Sequence, residues 1–280
     1  MSFDSRDILT DSGKKDDGEI NIFSVAMAFA APSHEGISTD RYFHHINKVA
    51  HDAGARYIEL LNAGAKDDAR TRLAALKHIL ADREGYEGDT ETYDDLQNAD
   101  MIRVIDRRKG MPIALCILYI HAGRLNGWDV EGLNFPGHFL CRIEHGGERL
   151  IFDPFNQCEI MEAPDLRKLI KKIRGTNAEL SADYYKPCTN RETLIRLQNN
   201  VKLRLIEAEE YDEAIKSIDM MRLVDPGEYR LLFDAGVLYA KTGQRKAGVA
   251  ALEEYIRLNP SPQDRRDAEA IIRQIHESVN

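Results

Sequence analysis

The chain has 280 residues, 43% hydrophobic and 30% charged, and 38 basic against 47 acidic residues leave a net charge of −9. That length supports one large or two modest domains with a real core, and the acidic balance argues against a nucleic-acid binder with a basic face. No apolar run approaches the roughly 20 residues that span a bilayer, so no membrane helix is expected.

The opening residues, MSFDSRDILTDSGKKDDGEI, have no apolar h-region and do not read as a secretory signal. Their Asp, Ser, Gly and Lys content predicts a disordered tail over 1–20. Helices are expected from there to about 105. In 39–61, Tyr42, Ile46, Val49 and Ala53 follow helical spacing, with Thr39 or Asp40 as cap. In 67–85, Leu73, Leu76, Ile79 and Leu80 form one stripe that Gly85 can stop. The polar segment 86–97 reads as a loop, ahead of a short helix near 98–108.

From 111 to 120 the chain is apolar without a break. Pro112 fits the first turn of a helix, where its missing N–H costs nothing. A helix apolar all round must be covered on every side. Three short strand-like segments follow, at 128–135, 138–145 and 148–155, and His145-Gly146-Gly147-Glu148 supplies a hairpin turn. One buried helix on an antiparallel sheet makes an α+β core, here expected over 21–188.

Residues 189–280 read as all helical and contain an internal repeat. The segment EEYDEAIKSIDMMRLVDP recurs 34 residues later as GQRKAGVAALEEYIRLNP, so that Asp225-Pro226 matches Asn259-Pro260 and Val224 matches Leu258. That period is the tetratricopeptide signature. Ala235 and Gly236 supply small residues for close helix pairing, and 262–278 reads as a closing helix. Such arrays commonly hold a protein or peptide on their concave face, which is the partner expected here; a purely structural buttress is the alternative.

The chemistry-bearing residues cluster in the core. A hairpin centred on Gly146-Gly147 pairs 143 with 150, and brings His138 within diagonal reach of Asp153. A thiol nucleophile needs such a histidine base, a group fixing its tautomer, and a helix N-terminus favouring thiolate. The four cysteines, Cys116, Cys141, Cys158 and Cys188, form no Cys-x-x-Cys pair and are expected as reduced thiols in a cytoplasmic protein. His44, His45 and His51 have no further ligand at metal spacing, so no metal is expected. Arg107, Arg108 and Lys109 read as a solvated turn or as a positive rim for an acidic ligand.

The stretches GMPIALCILYIHAGRLNGWDVEGLNFPGHFLCRI and LIFDPFN carry G-x-P, PGHF and DPF at fitting intervals. They resemble the transglutaminase-like core in the bacterial variant that is followed by tetratricopeptide repeats, and 25–53 resembles its N-terminal part. The resemblance implies a papain-like fold, no cofactor, and a Cys–His–Asp triad whose cysteine lies two residues after a glycine. Here the glycine corresponds to Gly110, the histidine to His138 and the aspartate to Asp153, while the nucleophile position holds Pro112. Cys116 lies one helical turn deeper, about 5.4 Å along the axis, where the dipole has weakened and burial raises a thiol pKa.

Two functions are therefore expected. The first is a non-catalytic transglutaminase-like scaffold or binding protein with interaction repeats. The second is a divergent thiol hydrolase or amide transferase, with Cys116 or Cys158 paired to His138 and Asp153 as catalytic residues. A structural role for His138–Asp153 as a buried polar pair is a further possibility.

Overall fold

A computed structural model describes residues 4–258 and 261–277. The chain divides into two compact units, one built from Asp16–Leu197, the other from Arg6–Lys15 together with the chain from Gln198 onward.

The opening segment departs from expectation. Ser5–Lys14 forms helix α1, with Leu9 and Ser12 buried. Its composition favours disorder, but burial within the second unit overrides that preference. The backbone at Gly13 lies so close to Leu223 that an added Cβ would stand 2.1 Å from the Leu223 carbonyl oxygen.

The first unit then runs through α2 (Ile22–Ala30), α3 (Asp40–Asn62) and α4 (Ala69–Lys77). Asn21 caps α2 by accepting from the Ser24 amide at 3.0 Å, and Asp68 caps α4 by accepting from Thr71 at 2.8 Å. Thr39 occupies the cap position of α3 without a side-chain bond. The expected stripe of α3, from Tyr42 to Ala53, is buried, and Tyr57 extends it. α4 passes into a π-helical turn over His78–Arg83, and Gly85 ends it at φ +77°.

The polar 86–97 segment is tied down rather than loose. Strand β1 (Glu87–Gly88) pairs in parallel with β2 (Lys109–Gly110), on either side of α5 (Met101–Arg107). Asp89 is the anchor. Burial opposes its charge, but bonds from the Thr92 amide and hydroxyl, the Arg107 guanidinium and the Glu91 amide hold its carboxyl well below the usual range.

Helix α6 (Pro112–Leu125) is the central element, with every residue from Pro112 to Gly123 buried. It packs on the four-stranded antiparallel sheet β3 (Asp129–Leu133), β4 (Leu140–His145), β5 (Glu148–Asp153) and β6 (Glu159–Ile160), ordered β3-β4-β5-β6. Glycine permits the close approach: a Cβ on Gly123 would meet Val130 Cγ2 at 2.4 Å, and one on Gly132 the Phe139 ring at 2.5 Å. The hairpin register is the expected one, with Ile143 opposite Leu150 and positive φ at Gly146 and Gly147. Helix α7 (Ala163–Arg174) follows, opened by a Glu162–Asp165 capping box, and packs Leu166 and Ile170 on Leu133, Phe135 and Leu140.

Helix α8 (Asn190–Glu207) crosses from the first unit into the second. The second unit continues with α9 (Tyr211–Val224), α10 (Arg230–Lys241), α11 (Arg245–Arg257) and α12 (Pro262–Glu277). α9 and α11 begin 34 residues apart, as the repeat requires. Gly236 and Gly248 let α10 and α11 touch, since a Cβ on Gly248 would lie 3.0 Å from the Gly236 carbonyl. α12 closes the array with Ala268 and Ile275 in a core with Leu232, Leu252 and Tyr255. The expected Asn259-Pro260 stop lies outside the described residues. Among the described residues no helix is long and apolar enough to cross a membrane.

Candidate functional site

The site is assembled from the start of α6 and the ends of β4 and β5. Asp153 closes β5 and caps the following turn over Pro154–Asn156. It is 1% exposed, so its carboxylate must be fully bonded. Oδ1 accepts from the Phe155 amide at 3.0 Å, and Oδ2 accepts from Asn156 Nδ2 at 2.7 Å and His138 Nε2 at 2.8 Å. The carboxylate accepts every bond, so Nε2 carries the imidazole hydrogen and Nδ1 keeps the lone pair in the neutral ring. Nδ1 has no hydrogen-bond partner among the described residues. The expected starting strand residue is corrected here: His138 lies two residues before β4, in a turn with Gly137 at φ +67°.

Aromatic rings frame the pair. Phe155 stands edge-on to the His138 ring at 6.0 Å and to Tyr93 at 5.8 Å. Gly88 lies beneath Phe155, where a Cβ would come within 2.5 Å of the ring. Gly88 in turn pairs with Gly110, two residues before Pro112. The loop anchored by Asp89 thus connects the start of α6 to the surroundings of His138.

The thiols adjoin this pair, but among the described residues none of them hydrogen-bonds to it. Cys116 is fully buried, and its Sγ donates to the Phe139 carbonyl at 3.6 Å rather than to His138. Burial, with Cys141 adjoining, pushes its pKa well above the ordinary thiol value. Cys141 turns toward α6, with Sγ 3.9 Å from the Cys116 carbonyl oxygen. Cys158 follows Gln157 in the left-handed region, at φ +60° after +53°. Burial pushes its thiol up to about 12. Beside it lies the buried Tyr119 hydroxyl, which makes no hydrogen bond of standard geometry among the described residues. Cys188 is also buried and pushed up to about 12 by that burial. None of these sulfurs bonds to His138 among the described residues.

The basic run does not form an open positive rim. Arg107 pairs with Asp89, Arg108 with Glu84 at 3.7 Å, and Lys109 with Glu87 and Glu91 at 3.7 Å each. The α3 histidines diverge: His45 Nε2 lies 3.0 Å from the Tyr86 hydroxyl, and His51 Nδ1 donates to the Asn47 carbonyl at 2.6 Å. Among the described residues no group of three or more His, Cys, Asp or Glu could hold a metal ion.

Two contributors give no sequence signal. Asn156 completes the Asp153 shell from three residues away. Arg196 on α8 donates to the carbonyl of His138 at 2.8 Å and of Phe135 at 2.9 Å, across about sixty residues of chain.

Comparison with known proteins agrees with this architecture. Residues 40–199 match the transglutaminase-like superfamily, and residues 201–276 match the tetratricopeptide repeat. A UPF0162 protein of Xylella fastidiosa is 27% identical over 251 residues, covering 88% of this chain and 86% of its own length. A UPF0162 protein of Vibrio cholerae is 27% identical over 195 residues, 69% of this chain and 72% of its own. F-box only protein 21 of Mus musculus is 28% identical over 179 residues, 61% of this chain but 28% of that protein. No solved structure matches. With a superfamily match over more than half its length, the chain belongs to the transglutaminase-like superfamily and carries tetratricopeptide repeats after that core.

Proposed function

We propose that this protein is a non-catalytic member of its superfamily, a scaffold or binding protein that holds a protein or peptide partner through its repeats. The observation that carries the reading is Pro112 as the first residue of α6, where the resemblance puts the nucleophile. A proline has no nucleophilic atom and no N–H to offer. Burial of all four cysteines, with Cys116, Cys158 and Cys188 raised above the ordinary thiol range, supports it further. The net charge of −9 speaks against nucleic acid as the partner, and four unpaired thiols suit the reducing cytoplasm.

A second reading, a thiol hydrolase or amide transferase using Cys116 or Cys158, draws support from the His138–Asp153 bond. The two are separated by assaying amine incorporation into a glutamine-rich protein and peptide hydrolysis. The intact chain is expected to match the background of its His138→Ala variant. Turnover abolished by both His138→Ala and Cys116→Ser, or by His138→Ala and Cys158→Ser, overturns the non-catalytic reading. Cross-linking the intact chain in extract of its own cells is expected to place partner links on α8 to α12; links confined to 40–199 overturn the repeat-based part.

A further inference from the structure

Arg196 lies outside the residues implied by the resemblance, yet it holds the backbone that carries His138. Its Nη2 donates to the carbonyls of Phe135 and His138, at 2.9 and 2.8 Å, and its Nη1 donates to Asn134 Oδ1 at 2.8 Å. The guanidinium also lies 5.1 Å from the centre of the Phe139 ring. These contacts fall on the 134–139 turn, which has Gly137 at positive φ and joins the sheet at Leu140. A guanidinium delivers its N–H groups in one plane at fixed angles, so it dictates where the carbonyls stand. The His138 ring is held by Asp153 and its backbone by Arg196.

The helix that bears Arg196 is itself located by a polar knot. Asp17 accepts from the amides of Asn190 and Arg191 at 2.8 and 2.9 Å, one carboxylate oxygen each. Asn190 Nδ2 donates to the Asp17 carbonyl at 2.7 Å, and Asn190 Oδ1 accepts from Arg124, near the end of α6, at 2.7 Å. α6 begins at the site and α8 begins at this knot. From there α8 runs through Arg196 and on, unbroken, to Glu207 in the repeat unit.

We propose that Arg196 is a positioning residue for His138, and that through it the state of α8 is coupled to the ordering of His138. Holding His138 in place stiffens α8 at Arg196, and a disturbance of α8 loosens His138; such coupling is reciprocal. The inference rests on His138 being the central group of the site. It is tested without partner or substrate, so its failure leaves the proposed function standing.

The readout is the Nε2–H proton of His138, observed by NMR in the intact chain and identified by its loss in His138→Gln. Arg196→Met is expected to remove this resonance or speed its exchange with water about tenfold, the factor of roughly one ordinary hydrogen bond. Arg196→Lys, which keeps the charge but not the planar fork, is expected to be intermediate, at about threefold. Leu194→Ala, at a buried α8 position, controls for general loosening and is expected to leave the resonance intact. Leu203→Pro breaks α8 six residues beyond the first unit and is expected to speed exchange about threefold if α8 transmits the change. Fluorescence of the single tryptophan, Trp128, reports whether the first unit remains folded. Wild-type exchange in Arg196→Met, or equal loss in Leu194→Ala, overturns the positioning role. If Arg196→Met does not fold, wild-type exchange in Arg196→Lys overturns it instead. Unchanged exchange in Leu203→Pro overturns the coupling.

Discussion

Replacing His121 probes how tightly α6 is covered. His121 sits on α6, 7% exposed, with its ring 4.8 Å from Phe23 and its Nε2 3.3 Å from Asn47 Oδ1. Burial, aided by the Arg124 charge, lowers its pKa from 6.5 to about 4. A depressed histidine pKa means the unfolded chain takes a proton that the folded chain refuses. The associated stability is complete above pH 6.5, declines as pH falls through that value, and is fully lost below about 4. At about 1.4 kcal/mol per pH unit the loss amounts to about 3 kcal/mol, of which about 2 kcal/mol is gone by pH 5. Urea unfolding read by Trp128, 5% exposed and in the same unit, gives the measurement. Between pH 7 and 5, His121→Gln is expected to lose about 2 kcal/mol less than the wild type. Parallel loss in the two proteins refutes the claim that His121 is held neutral in a closed core.

Other perturbations have equally direct outcomes. Gly123→Ala pushes a methyl into Val130 and is expected to cost about 1–3 kcal/mol in the Trp128 transition. Gly18→Ala, with nothing within 4 Å, is its control and is expected to stay within about 0.5 kcal/mol. Asp17→Ala removes the acceptor that caps the first two α8 amides and is expected to cost about 1–2 kcal/mol, with faster amide exchange at Asn190 and Arg191. Unchanged exchange there would show the cap to be idle. Asp153→Ala strips three hydrogen bonds from a buried position and is expected to cost about 3 kcal/mol while opening Cys158 to alkylation. Continued protection of Cys158 would show that Asp153 does not hold its turn.

The sequence was most legible where one pattern dominates. The apolar run after Gly110 could only be a covered helix, and the Gly146-Gly147 turn fixed the register that opposes Ile143 and Leu150. The 34-residue period located α9 and α11. What escaped depends on contacts between distant segments. α1 carries the composition of a mobile tail, and burial of Leu9 makes it a helix. Asp89 turns a polar loop into an anchored strand by burying a charge among four donors, and no local pattern announces that. Arg196 meets His138 across 58 residues of chain, and a lone arginine on a helix looks like any solvated one. The basic run at 107–109 was open to two readings because its carboxylate partners lie on other segments.

The proposed non-catalytic role requires that no reactive thiol serve the His138–Asp153 pair. Its most direct measurement is the rate of iodoacetamide labelling of each cysteine in the native chain from pH 6 to 9, read by mass spectrometry. Cys116, Cys141, Cys158 and Cys188 are all expected to react far more slowly than in the urea-unfolded chain, with no rate changed by His138→Ala. Rapid labelling of Cys116 or Cys158 at neutral pH, abolished by His138→Ala, would contradict it.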